Sequence, residues 1–206
     1  MGVTRPKMLN ERKPSLADKV LSAVLTAVLV LLVAFTIFNL WFVQNYFVVQ
    51  VDGISMNDTL ADKDLLYTQK RNFEAQRGDI VIIDVEPYRG LFSRNVEHII
   101  KRLIAVEGDC VKCEQGTVYV KAGEGEYAPL SEPYAKGVTE DFHEFQVGKG
   151  EIFFLGDNRE DSKDSRMVGC LEYRDIIGVV PEWAVRIKNF TTQWERQRGA
   201  LVGSNG

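Results

Sequence analysis

Ser55, in the run Val51-Asp52-Gly53-Ile54-Ser55-Met56, is a candidate nucleophile at the end of a long apolar segment. A serine hydroxyl is weakly nucleophilic at neutral pH and needs a base beside it. Histidine is the usual base, and this chain has His98 and His143. Neither lies in a stretch rich in functional groups, so a surface or packing role is the default for both. Lysine is the alternative if it is neutral, since burial lowers its ordinary pKa of about 10.4. Lys101 lies in His98-Ile99-Ile100-Lys101-Arg102-Leu103-Ile104. In a strand, Ile99, Lys101 and Leu103 share one face, which puts the lysine among aliphatic side chains. Arg102 falls on the other face and stays protonated, so it is no base. On this segment alone, two cations snorkelling to water at a sheet edge is the plainer reading.

A third stretch, Gly156 to Arg166, shifts that balance. Gly156-Asp157-Asn158 predicts a sharp turn after a strand, followed by Ser162, Asp164, Ser165 and Arg166. The hydroxyls can orient an amine, and an Asp164–Arg166 pair can brace the loop by charge-assisted hydrogen bonds. An ordinary polar loop is one competing reading. A calcium site from Asp157, Asn158, Asp161 and Asp164 is another, but Lys163 and Arg166 in the same loop and the lack of EF-hand spacing weigh against it.

These groups must be held by the rest of the 206 residues, enough for one domain and an anchor or for two small domains. A net charge of −4 gives no global sign of nucleic-acid binding. Residues 1–19 are basic and read as a cytoplasmic tail. No charge occurs from Val20 to Val51, and crossing a bilayer takes about 20 apolar residues. Residues 20–46 therefore read as a transmembrane signal anchor. Trp41, Phe42, Tyr46 and Phe47 supply an aromatic belt, and the N-terminus is cytoplasmic by the positive-inside rule. Residues 47–190 read as an extracytoplasmic β domain and residues 191–206 as a tail. Strands are expected near 47–51, 64–68, 80–85, 97–106, 110–113, 117–120, 142–147, 151–155, 176–180 and 183–187. A loop is expected over 87–95, with Leu91 and Phe92 exposed at its tip, and a long surface loop over 122–141. Many short strands with glycine-rich turns imply an all-β, barrel-like domain. Cys110 and Cys113 read either as a short disulfide or, with Cys170, as small core residues.

Taken together, these segments resemble the bacterial type I signal peptidases, membrane-bound serine proteases with a Ser–Lys dyad. The resemblance rests on Gly53-Ile54-Ser55-Met56 with Thr59-Leu60, Arg77-Gly78-Asp79-Ile80-Val81, Ile100 to Ile104 with Gly108-Asp109, and Gly156-Asp157-Asn158-Arg159 running to Ser162-x-Asp164-Ser165-Arg166, in that order after an N-terminal anchor. It implies a coiled, barrel-like antiparallel β fold. It implies Ser55 as nucleophile and Lys101 as general base. Ser162 would hydrogen-bond the amine, and Asp164 with Arg166 would hold the loop. The Ser55 backbone N–H would join the oxyanion hole, and Gly53 occupies the position where some members add a hydroxyl donor. Proline is usual in that family where this chain has Asp58, so an Asn57–Asp58 Asx-type turn is expected instead. The implied substrates are secretory preproteins with small residues before the cut, bound as an extended strand at the bilayer surface. No cofactor, metal or nucleic acid is expected.

Three other readings compete. A self-cleaving Ser–Lys regulator would need a nucleic-acid-binding domain where this chain has an apolar span. A catalytically inactive, membrane-anchored binding module would share the fold, with Gly53 and Asp58 as its support. A tethered redox protein would use Cys110 and Cys113.

Overall fold

The computed structural model describes residues 15–70, 74–88, 90–92 and 97–188. The expected basic tail up to residue 14 and the tail from 191 onward lie outside them. The chain divides into two compact units, residues 1–44 and 45–206.

The first unit is built on helix α1, Leu16–Asn45. Ser15 and Asp18 begin it with a reciprocal cap: the Ser15 N–H donates to Asp18 Oδ2 at 2.9 Å, and the Asp18 N–H to Ser15 Oγ at 3.2 Å. Its apolar side chains are exposed on all sides, and it is long and apolar enough to cross a membrane.

The second unit is mostly β. Its strands are β1 (Tyr46–Gln50), β2 (Leu65–Lys70), β3 (Ile80–Asp84), β4 (His98–Val106), β5 (Cys110–Glu114), β6 (Thr117–Lys121), β7 (Tyr127–Pro129), β8 (Phe142–Gln146), β9 (Glu151–Leu155), β10 (Leu171–Glu172) and β11 (Ile176–Val180). A curled antiparallel sheet of seven runs β1-β2-β11-β3-β4-β9-β10, and a second sheet of four runs β7-β6-β5-β8. The expected all-β, barrel-like class is borne out, with the larger sheet curled into a half-barrel. The central strands are buried on both faces, which explains their unbroken apolar runs. From β3, Val81 and Ile83 enter one apolar cluster while Ile80 and Ile82 enter another. From β9, Ile152 and Phe154 join the first cluster, whereas Phe153 and Leu155 pack towards β5, β6 and β8.

Two expectations change, at residues 183–187 and at Phe92, and those for residues 122–141 and the cysteines are narrowed. Residues 182–188 form a helix, not the strand expected at 183–187. Pro181 starts it, and Glu182 pairs with Arg186 one turn on at 2.5 Å. Ala184 is buried while Trp183 and Ile187 are exposed, a helical division that so short a segment does not reveal. Residues 122–141 are largely exposed, as expected of a surface loop, but they are more structured than a bare loop. They hold β7, and Lys136 bridges to Asn158. Phe92 is buried in the first cluster, leaving Leu91 exposed. Cys110, Cys113 and Cys170 are all free thiols, the first two buried, and burial pushes the Cys113 and Cys170 thiols up to about 11.

Phe153 is fully buried, with its ring 5.1 Å from that of Phe145 and 5.6 Å from that of Phe142. Phe153→Ala is expected to lower the unfolding free energy by about 3–5 kcal/mol. A urea midpoint unchanged from wild type would count against this packing.

Candidate active site

Ser55 sits in a loop that closes on itself. The Val51 N–H donates to the Asp64 carbonyl and the Lys63 N–H to the Val51 carbonyl, both at 2.8 Å. Met56 and Leu60 are buried and pin the loop in the apolar cluster that Ile80 and Ile82 enter, with the Leu60 N–H donating to the Met56 carbonyl at 2.8 Å. Gly53 has φ +96°, a left-handed conformation that favours glycine. Its N–H is taken by Asp62 Oδ1 at 2.8 Å. The turn after Ser55 is held by the Asn57 N–H on the Ile54 carbonyl at 3.0 Å, and the Asp58 carboxylate accepts Lys136 Nζ at 2.9 Å.

Lys101 comes from β4, opposite Val81 of β3, and is 4% exposed. Its amine lies 2.6 Å from Ser55 Oγ and 3.1 Å from the Ile100 carbonyl. Burial pushes this amine down to about 8, and the carboxylates of Asp164 and Asp157 act in the opposite direction. Both carboxylates are engaged by arginines. Arg102 grips Asp157 with Nε on Oδ1 at 2.8 Å and Nη2 on Oδ2 at 2.6 Å. Its guanidinium stacks 3.7 Å from the centre of the Tyr134 ring. Arg166 grips Asp164 in the same two-pronged way, at 2.8 and 2.9 Å. A paired carboxylate attracts a neighbouring cation less, so the lysine remains easier to deprotonate.

The 156–166 loop meets the Ser55 loop through its backbone. The Asn158 N–H donates to the Ser55 carbonyl at 3.0 Å, and Asn158 Nδ2 to the Ile54 carbonyl at 3.1 Å. The Thr59 hydroxyl donates to Asp157 Oδ2 at 2.6 Å. Gly156 lies so close that a Cβ there would be 2.1 Å from Ser162 Oγ and 2.5 Å from the Ser55 carbonyl oxygen. Asp164 also caps the short helix α2, Ser165–Val168, and accepts the Gly156 N–H at 3.0 Å. Ser165 Oγ accepts the Phe154 N–H at 3.0 Å.

Ser55, Lys101, Ser162, Asp164 and Arg166 thus converge. The hydrogen bond implied between Ser162 and the Lys101 amine is not formed: Ser162 Oγ is buried with no partner. His98 and His143 are exposed, on β4 and β8. The sequence reading left out Arg102, Asn158, Tyr134, Lys136 and Arg159 as supports. Arg159 is buried and donates to the Gly156 carbonyl, Thr139 and Glu132. A signal for Arg102 was present, because an arginine inside an apolar strand requires a carboxylate partner.

A family model described as signal peptidase, peptidase S26, matches residues 20–183. A signal peptidase I of Bacillus licheniformis is 34% identical over 191 residues, covering 85% of this chain and 91% of that protein. A signal peptidase I P of Bacillus subtilis subsp. natto is 30% identical over 178 residues, covering 82% and 88%. A crystal structure of a signal peptidase I from Enterococcus faecalis V583 is 29% identical, with a TM-score of 0.42, covering 53% of this chain and 98% of that one.

Two stability effects follow from this geometry. Asp157→Ala leaves Arg102 buried without its counter-ion and is expected to destabilise the fold by about 3–5 kcal/mol in urea unfolding. Lys101 acts in the opposite sense. Its pKa falls on folding, so its protonation penalises the folded state fully below about pH 8, and the penalty fades as the pH rises to 10.5. Lys101→Met is therefore expected to stabilise the protein at pH 7 by on the order of 1–3 kcal/mol, with the gain vanishing in strong alkali. A Lys101→Met variant less stable than wild type at pH 7 would contradict the assigned penalty.

Proposed function

The chain belongs to the signal peptidase family, and on that premise we propose that it is a membrane-bound serine endopeptidase that removes signal peptides from secretory preproteins with a Ser55–Lys101 dyad. The observation that carries the dyad is the 2.6 Å contact between a buried amine of lowered pKa and the Ser55 hydroxyl. Ser55 Oγ attacks the scissile carbonyl carbon while its proton passes to Lys101 Nζ. The tetrahedral intermediate collapses, the C–N bond breaks, and the ammonium returns the proton to the leaving amine of the mature protein. The signal peptide is left as an ester on Ser55. Lys101 then deprotonates a water that attacks this ester, which restores the serine and frees the signal peptide with a new carboxyl terminus.

Asp164, Arg166, Ser162 and Gly53 have supporting roles in this reading. The two carboxylate–arginine pairs shape the loop, Gly53 shapes the approach to Ser55, and the Ser162 hydroxyl, buried without a partner, takes up the amine during turnover. The Ser55 N–H serves the developing oxyanion. Helix α1, the one helix among the described residues long and apolar enough to do so, spans the membrane, with the N-terminus cytoplasmic and the β unit, from about residue 47 to 190, outside. That arrangement keeps the serine in the plane where a preprotein's apolar segment ends, which raises effective concentration. Small side chains before the cut suit an extended substrate docked against the sheet.

The test uses the full chain in detergent with a preprotein carrying a small-x-small site. Wild type is expected to cut at that site, and Ser55→Ala and Lys101→Ala to lose activity by on the order of 10³-fold or more. Because only the neutral amine accepts the serine proton, kcat/KM should rise with pH through an apparent pKa near 8. A Lys101→Ala variant that still cleaves would rule out the dyad, and an inert wild type would favour the binding-module reading.

A further inference from the structure

The helix at 182–188 reaches the Ser55 loop through its last described residue. Lys188 Nζ donates to the Thr59 carbonyl at 3.0 Å and pairs with Asp64 at 2.8 Å. The Lys188 and Asp64 side chains are only 10% and 18% exposed, which separates this contact from the solvent-washed pair of Glu182 and Arg186 on the same helix. Asp64 also accepts the Ala61 N–H at 2.6 Å, and its backbone closes the loop on Val51. Thr59 is therefore held from two sides, its hydroxyl by Asp157 and its carbonyl by Lys188. Thr59 lies within the turn from Met56 to Leu60, which follows Ser55 directly.

We infer that Lys188 is a positioning residue: its ammonium locks the turn after Ser55 so that the hydroxyl stays within reach of the Lys101 amine. The inference rests on the peptidase reading above. Replacing the ammonium with a methyl group leaves the Thr59 carbonyl without this donor and Asp64 without this cation. The Met56–Leu60 turn is then free to shift relative to β4. Displacing a reacting group by about 1 Å lowers turnover by on the order of a hundredfold while leaving substrate contacts largely in place.

The experiment compares wild type, Lys188→Met, Lys188→Arg and Arg186→Ala as full chains in detergent, on the same preprotein. The temperature is one at which circular dichroism shows all four folded. Lys188→Met should lower kcat on the order of tenfold to a hundredfold, with KM changed by less than about twofold. Lys188→Arg, which keeps charge and donors, should recover most of the loss, and Arg186→Ala should match wild type. Wild-type kcat in Lys188→Met, a loss that appears in KM instead, or no rescue by arginine overturns the inference. A wild-type chain that cuts nothing overturns the peptidase reading and this inference with it. An active wild type beside an equally active Lys188→Met overturns this inference alone.

Discussion

Burying an amine beside a hydroxyl is the constraint around which the β unit is organised. Lys101 is 4% exposed, and its loss of water lowers its affinity for a proton. The same burial would be undone by free carboxylates nearby, which draw the proton back. Asp157 and Asp164 are both close enough to act on the amine, and both are held by arginines. Each pair also has a geometric task. Asp157 joins β4 to the Ser55 loop through Arg102 and Thr59, and Asp164 joins the start of α2 to Gly156.

The Ser55 loop is braced from several directions because it carries little regular structure of its own. Met56 and Leu60 supply apolar anchorage, and Asn158 holds the backbone at Ser55 and Ile54. Lys136 and Lys188 reach it from two widely separated later positions in the sequence. These contacts differ in weight. The Lys136–Asp58 pair is largely exposed and adds little in water, whereas the Lys188 contact is largely buried. The place where the family usually has proline is thus occupied here by an aspartate that faces solvent and a partner lysine.

The β unit was legible where burial imposes a simple pattern. The run Ile80–Asp84 and the strand around Lys101 are buried on both faces, and they appear as strands within a residue or two of their expected limits. The helix at 182–188 was not legible, since Trp-Ala-Val-Arg-Ile fits a two-residue alternation as well as a helical turn. For the segment 122–141 exposure was legible and anchorage was not. Its residues are polar and glycine-rich, yet Tyr134 and Thr139 are fixed by Arg102 and Arg159 from elsewhere in the chain.

The sequence by itself determined the apolar helix, the antiparallel strands, and the short list of groups able to do chemistry. Hydrophobic periodicity and side-chain type are local properties, so they can be read locally. Only the tertiary structure decided which groups meet. Lys101 and Ser55 are 46 positions apart, Arg102 and Asp157 are 55 apart, and Lys188 and Thr59 are 129 apart. It also decided that Ser162 stands beside the Ser55 backbone with its hydroxyl unpaired. Such pairings depend on how sheets and loops close in space, and no short window of sequence contains that information.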